Sequence, residues 1–402
     1  MRHYRHLGVT HVALWTLATL GMALPATAQR GGNGNGNGTP APTPEELVRS
    51  GNAAFDQQRY TAAAQLYQQA LEATPGLPFD QTAVVYLNLA HTRYRLEQWQ
   101  RAIDAYSRSN ADDAMQLIAQ CHLQLGNADE ASSALRNVLV RFPDRADVRE
   151  QLAQIESSRG LHREAITLLR KLLELRPNDA KLHRSLAREL LTVDRLTEGL
   201  DALETSWRLG NRTAEVARLI GDLYLQQDMP LEAATYYRRY LSVAGDPSAE
   251  DHFRAGYAYY QGEEYRSAKE MFAEAIARDP SYARGLFYLG NIAASEGDTE
   301  RAMTEYAAAL EHNPQLRDAH EAVARLHLEQ ERYPEAAQAY ASALETGANS
   351  FSIHYNRVVA VARSGERAAA IAALKEALHA HPDRSELLGL LALLPDAPPG
   401  SR

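Results

Sequence analysis

The chain of 402 residues contains a single cysteine, few β-branched residues and no block of basic residues. Cys121 therefore cannot form an internal disulfide bond, and ordinary packing must hold the fold together. The scarcity of β-branched residues, with abundant Ala, Leu, Gln, Glu and Arg, favours helices over strands. The formal net charge of −9 and the absence of a basic block argue against a nucleic-acid-binding protein. The length favours several domains or an elongated array over one compact core.

Motifs that carry catalysis are also missing. The stretch from His320 to Ala324, HEAVA, begins like a zinc-protease helix, but Ala324 stands where a second His is required. The sequence has no Gly-rich phosphate loop and no G-x-S-x-G, and Cys121-His122 lacks the upstream Cys of a haem attachment site. We therefore predict no enzyme activity, no catalytic residue, no metal site and no cofactor. The alternative is an enzyme whose chemistry leaves no motif, which turnover by the purified protein would reveal.

The N-terminal residues form a separate segment. Two arginines precede the uncharged apolar run Val12–Leu24, and Ala26 and Ala28 follow at the small-residue positions of a cleavage site. This pattern is typical of a secretory signal peptide, and the run is shorter than the roughly 20 residues of a membrane span. We predict a signal peptide over 1–28, export to the periplasm and no membrane span in the mature chain, with an uncleaved anchor as the alternative. Residues 29–43, rich in Gly, Asn and Pro, predict a flexible linker.

A skeleton of small and aromatic residues repeats along the rest of the chain. A glycine is followed by an alanine twelve residues later and an aromatic residue sixteen residues later, with a period of 34 or 35 residues. Its clearest copies begin at Gly51, Gly221, Gly256 and Gly290. Small residues let two helices approach closely, and one helix pair cannot bury its apolar face alone, so the pairs must stack. We predict about ten such units over 44–384, a capping helix over 385–394 and a disordered tail over 395–402.

This skeleton resembles the tetratricopeptide repeat family over the whole of 44–384. The resemblance implies an all-α fold, a right-handed superhelical solenoid of about ten helix-turn-helix repeats. It also implies a non-enzymatic scaffold for protein–protein interactions, or an assembly factor, of the bacterial envelope. The partners would be proteins of envelope complexes, with no nucleic acid among them, and a partner segment would bind in the concave groove. The alternative is a periplasmic scaffold for polysaccharide export that contacts glycan directly through aromatic side chains.

The same resemblance points to candidate binding residues. In the family, the first helix of each unit lines the groove, and the seventh and eighth units here concentrate aromatic rings with Arg and Asn on and beside the groove positions. Aromatic and Arg side chains are frequent anchors in protein interfaces. The alternative is that these rings only pack against one another. The candidate residues are Phe253, Arg254, Tyr257, Tyr260, Arg284, Phe287, Tyr288 and Asn291.

Overall fold

The computed structural model describes residues 41–73 and 76–390, and within these residues the chain forms 21 helices and no strand. The predicted signal peptide, residues 29–40 of the predicted linker and the predicted tail lie outside the described residues. The first of two compact units ends at Arg195 and contains nine of the helices. These are α1 (Pro44–Asp56), α2 (Tyr60–Glu72), α3 (Phe79–Arg95), α4 (Trp99–Ser109), α5 (Ala114–Gln124), α6 (Ala128–Arg141), α7 (Ala146–Ser158), α8 (His162–Leu175) and α9 (Ala180–Thr192).

The second unit begins at Leu196, so the boundary between the units falls inside the predicted fifth repeat. Its helices are α10 (Leu196–Arg208), α11 (Ala214–Gln226), α12 (Pro230–Val243), α13 (Ala249–Gln261), α14 (Tyr265–Arg278), α15 (Ala283–Ser295), α16 (Thr299–His312), α17 (Arg317–Glu329), α18 (Tyr333–Glu345), α19 (Phe351–Arg363), α20 (Arg367–Ala380) and α21 (Glu386–Gly389). In each unit, consecutive helices pack against each other. The short turns between the helices of a pair make the two helices antiparallel.

The constant spacing between the small and the aromatic residue of the skeleton corresponds to a direct contact between the two helices of a pair. A Cβ atom on Gly256 of α13 would lie 2.7 Å from ring atoms of Phe272 on α14, and one on Gly51 would lie 2.7 Å from Tyr67 on α2. Both rings are almost completely buried. Glycine at these positions therefore lets a large ring rest on the backbone of the first helix, which brings the two helix axes together.

The turn inside each helix pair has one recurring feature. Two residues after each first helix from α1 to α19, the backbone takes a left-handed conformation with φ between 57° and 87°. Glycine occupies this place in four pairs, at Gly126, Gly160, Gly297 and Gly365. In the other six pairs the residue at this position is Gln58, Glu97, Asp194, Asp228, Glu263 or Glu331. Side chains with a Cβ adopt this conformation at a cost of roughly 1–2 kcal/mol, which glycine avoids.

We expect Glu263→Gly to raise the free energy of unfolding by roughly 0.5–1 kcal/mol, because the relief of the strained backbone exceeds the entropy lost by glycine on folding. Urea unfolding followed by circular dichroism would measure the change. Glu263→Ala is the matched control, since it removes the same side chain but keeps the strained Cβ, and it should bring no gain. Equal effects of the two substitutions would contradict this interpretation of the turn.

Candidate functional site

The candidate residues lie on α13 and α15, which are first helices of neighbouring pairs in the second unit. A row of alternating charges joins these helices to α11. Arg254 places Nε 3.1 Å from Glu250 Oε1 and Nη1 3.6 Å from Asp222 Oδ1, and Arg284 places Nη1 3.8 Å from Glu250 Oε2. We call Asp222, Arg254, Glu250 and Arg284 the charged row. It shows that the first helices of three successive pairs lie side by side here.

Phe253 is the centre of an aromatic cluster between these helices. Four rings surround it with centroids 5.4 to 6.1 Å from its own, and its side chain is 2% exposed. The surrounding rings belong to Tyr257, Phe272, Tyr282 and Tyr288. A ring enclosed in this way has no surface for a ligand. The structure therefore does not support Phe253 as a contact residue and gives it a packing role.

Phe287 is a second candidate that the structure buries. Its side chain is 9% exposed and lies between Tyr288, with a centroid distance of 5.1 Å, and Tyr306 of α16, at 5.8 Å. Tyr288 of the same helix and Tyr306 of α16 therefore enclose the Phe287 ring. The structure thus gives Phe287 a packing role beside the neighbouring rings.

Three tyrosines on the same two helices remain partly exposed. Tyr257, Tyr260 and Tyr288 are each of intermediate burial. The Tyr288 ring lies edge-on to the other two, 5.4 Å from Tyr257 and 5.0 Å from Tyr260 between centroids. We call these three residues the aromatic rim. Burial raises the pKa of the Tyr288 hydroxyl to about 12, so this phenol stays protonated and can donate a hydrogen bond at neutral pH.

Tyr257 departs from a pattern that holds in four other pairs. In those pairs, the hydroxyl of a tyrosine on the second helix forms a hydrogen bond with a residue on the first helix. That residue directly follows the small residue on which the tyrosine ring packs, and the bonds are 2.6 to 3.0 Å long. These bonds are Tyr67 to Asn52, Tyr106 with His91, Tyr237 to Asp222 and Tyr306 to Asn291. In the seventh pair Phe272 has no hydroxyl, and Tyr257 takes the acceptor's place. The Tyr257 hydroxyl therefore accepts no hydrogen bond from a second-helix tyrosine, and it accepts one from Gln261 Nε2 instead, at 2.5 Å.

The remaining candidates fall into two groups. The side-chain oxygen of Asn291 accepts the Tyr306 hydroxyl hydrogen bond at 2.8 Å, so Asn291 has a packing function already. Arg254 and Arg284 belong to the charged row, and the Arg284 guanidinium also lies over the Phe253 ring, with Cζ 4.1 Å from the ring centroid. The structure therefore brings Tyr257, Tyr260, Tyr288 and the two arginines together on one surface.

Glu250 is a residue that the sequence interpretation missed. It ion-pairs with Arg254 and Arg284, and it accepts a hydrogen bond from the Tyr282 hydroxyl at 2.5 Å. Its position as the second residue of its repeat was the available signal. Nothing in the one-dimensional pattern shows that donors from α13, from α15 and from the residue before α15 converge on this one carboxylate.

Comparison with known proteins identifies the class and then the family. Two models described as tetratricopeptide repeat match the chain, one at residues 47–78, 253–316 and 297–351, the other at 122–190 and 327–394. Together they match more than half of the chain. The fold is that of an α-helical repeat protein. The chain belongs to the tetratricopeptide repeat family, which confirms the family and the all-helical repeat fold expected from the skeleton.

Two curated proteins show distant similarity. The chain is 22% identical to the DnaJ homolog subfamily C member 7 homolog of Dictyostelium discoideum, over 86% of this chain and 73% of that protein. It is 26% identical to the cellulose synthase operon protein C of Pseudomonas fluorescens (strain SBW25), over 63% of this chain. The chain spans only 21% of that second protein's length.

Solved structures of low sequence identity are also similar. A structure of the APC/C hetero-tetramer Cut9-Hcn1 is 14% identical with a TM-score of 0.40, covering 87% of this chain and 96% of that one. A structure of the C-terminal part of a TPR repeat-containing protein from Cytophaga hutchinsonii is 13% identical with a TM-score of 0.43. It covers 58% of this chain and 97% of that one.

Tetratricopeptide repeat proteins generally act as scaffolds for protein–protein interactions, and the fold is typically non-enzymatic. Protein partners are therefore the class of partner that the family indicates for this chain. Within residues 41–73 and 76–390, no helix combines the length and the apolar character needed to cross a membrane.

Proposed function

We propose that this protein is a non-enzymatic scaffold or assembly factor of the bacterial envelope, which binds a segment of a partner protein on the aromatic rim. The observation that carries the proposal is the rim itself. Tyr257, Tyr260 and Tyr288 are three partly exposed rings on the first helices of adjacent pairs, and the Tyr288 ring contacts the other two. Tyrosines of this kind offer a large apolar area with a polar tip, which is the usual composition of an interface anchor.

The rings of the rim are held in place before any partner arrives. Phe253 and Phe272 stack beneath Tyr257 and Tyr288, with centroid distances of 6.1 Å and 5.6 Å, and both phenylalanines are buried. A side chain that is already ordered loses little rotamer entropy on binding, where a free one costs about 0.5–1.5 kcal/mol. The rim is therefore a pre-organised surface for an apolar side chain of an extended or helical segment.

The envelope location rests on the N-terminal pattern and on one relative. Residues 1–28 carry the features of a secretory signal peptide, which supports export to the periplasm. The similarity to cellulose synthase operon protein C supports a setting in polysaccharide export or in another envelope complex. The partners would then be protein components of that complex, and neither nucleic acid nor cofactor takes part.

Site-specific photocrosslinking in the native host would test the function. A chain with benzoylphenylalanine in place of Tyr257 should crosslink to one defined protein in the periplasmic fraction. The same probe in place of Arg266, which is 92% exposed on second helix α14, is the matched control and should not crosslink to that protein. Tyr288→Ala should abolish the crosslink from position 257. Equal crosslinking from both positions, or a crosslink that survives Tyr288→Ala, would contradict rim binding.

The similarity to cellulose synthase operon protein C also favours a second candidate, direct contact with glycan. Exposed tyrosine rings can stack on sugar rings, and such stacking is insensitive to salt because it involves no net charge. Polysaccharide from the host would then retain the protein at high ionic strength, and Tyr257→Ala would release it. Retention that persists in Tyr257→Ala would exclude the rim as a glycan site.

A further inference from the structure

One cation lies at the edge of the aromatic rim and is only partly neutralised. The Arg284 side chain is 53% exposed. Its guanidinium rests on the face of Phe253, the ring that also supports Tyr257 and Tyr288. The cation and the rim therefore share one aromatic support. A ligand segment lying on the rim would pass within reach of the guanidinium.

The carboxylate that faces Arg284 is already occupied. Glu250 accepts a hydrogen bond from the Tyr282 hydroxyl at Oε2, over 2.5 Å, and its Oε1 lies 3.1 Å from Arg254 Nε. Arg284 reaches the same Oε2 only at 3.8 Å, and its charge also acts on the Tyr282 hydroxyl. Arg254 has Asp222 as a second carboxylate at 3.6 Å. Of the two arginines, Arg284 is thus the one whose positive charge is less fully balanced.

The position of Arg284 over Phe253 bears on how Arg284 can bind a ligand. A guanidinium over an aromatic face is attracted to the ring and still carries N–H donors that can bond to a ligand. A guanidinium edge matches a carboxylate through two parallel hydrogen bonds. A neutral amide or hydroxyl acceptor at the same place lacks the negative charge and so forms a weaker bond with the guanidinium.

We propose that Arg284 binds a carboxylate of the partner segment, beside an apolar side chain that lies on the rim. The inference rests on the proposed function, because it names the ligand chemistry of that same surface. Since Arg284 and Tyr257 both contact Phe253, the acid and the apolar residue lie within about three residues of each other in an extended segment. The carboxylate belongs to an Asp or Glu side chain or to a chain terminus.

Panning of random peptides against the full chain would test the inference. A phage-displayed library of twelve-residue peptides, about 40 Å when extended, is long enough to cross the rim. We expect the enriched peptides to contain an aromatic or large aliphatic residue with an acid nearby. The best peptide would then be synthesised with a fluorescent label, together with its acid-to-amide analogue. A form with an amidated C-terminus separates a side-chain carboxylate from a terminal one.

Binding of these peptides to wild type and variants, followed by fluorescence anisotropy, would separate the two proposals. On wild type, the acid-to-amide change should weaken binding about tenfold, as expected for a charge-assisted bond of about 1.4 kcal/mol. On Arg284→Gln the same change should have no effect, while Arg266→Gln, the matched control, should behave as wild type. Tyr257→Ala should weaken the acid peptide and its amide analogue alike.

The outcomes that overturn each proposal differ. Enriched peptides without an acid, or an acid-to-amide loss of equal size on wild type and Arg284→Gln, would overturn the role of Arg284 alone. In that case Tyr257→Ala would still weaken binding, and the proposed function would stand. If no peptide is enriched, or if Tyr257→Ala leaves peptide binding unchanged, groove binding on the rim fails, and the inference about Arg284 fails with it.

Discussion

Replacing Arg136 and Arg159 together by Met is expected to lower the free energy of unfolding by about 3 kcal/mol at neutral pH. Both arginines neutralise Glu156, a carboxylate that is 0% exposed on α7. Arg136 Nη2 lies 2.6 Å from Oε1, and Arg159 Nη1 lies 2.5 Å from Oε2. Without them the buried charge keeps a hydrogen bond from Ser132 Oγ at 2.6 Å but no opposite charge. The expected loss is at the lower end for a broken buried pair, because Arg136 is half exposed.

The measurement is urea unfolding followed by circular dichroism, combined with hydrogen exchange of the α6 and α7 amides, because repeat arrays can open locally. Adding Glu156→Gln to the double variant should restore most of the loss, since it removes the unpaired charge. Arg266→Met, at the exposed position on α14, should change stability by less than about 0.5 kcal/mol. A double variant as stable as wild type would show that Glu156 does not need its cations.

The same network gives the direction of a pH dependence. Although burial alone would raise the pKa of Glu156, the bonds from Ser132, Arg136 and Arg159 outweigh it and lower that pKa below its usual value. A carboxylate with a depressed folded-state pKa stabilises the fold above its unfolded pKa of about 4.3 and loses that contribution as the pH falls. In the double arginine variant the sign reverses. Its deficit relative to wild type should therefore shrink on acidification.

Gly290→Ala is expected to cost about 1–3 kcal/mol of stability, although the same substitution in an exposed helix normally stabilises by roughly 0.5–1 kcal/mol. A Cβ at this position of α15 would lie 2.5 Å from Tyr306 Cε1. Tyr306 is fully buried and held by Asn291, so its ring cannot move aside without strain. Tyr306 also supports Phe287, which in turn supports Tyr288, so the rim should lose order as well.

Thermal unfolding and the near-ultraviolet circular dichroism of the tyrosines would measure both effects. Gly285→Ala on the same helix is the matched control. Its Cβ would meet Ile276 Cγ1 at 3.3 Å, and an isoleucine side chain can shift by the few tenths of an ångström required. We expect this control to be neutral or slightly stabilising. Equal effects of the two substitutions would show that the glycine and the ring of a pair do not constrain each other.

Most of the fold could be predicted from the sequence because the packing contacts are local. Gly290 and Tyr306 are sixteen residues apart and meet within a single helix pair, so the same contact recurs in the pairs with Gly51, Gly221 and Gly256 and appears as a fixed spacing. The candidate site was predicted less completely. The positions on α13 and α15 cluster as expected, but the burial of Phe253 and Phe287 depends on rings from α14, α15 and α16 that close over them.

The sequence by itself determined the repeat, the helix pairs and the family, because these depend on contacts between residues at constant separation. Only the tertiary structure decided which rings are exposed and which charges are balanced. Tyr257 is partly exposed and Phe253 is buried, although both stand at groove positions. Glu250 accepts a hydrogen bond from Tyr282 and forms a close ion pair with Arg254, so the positive charge of Arg284 is only partly balanced. Such outcomes depend on how neighbouring pairs stack in space, and no spacing along the chain records it.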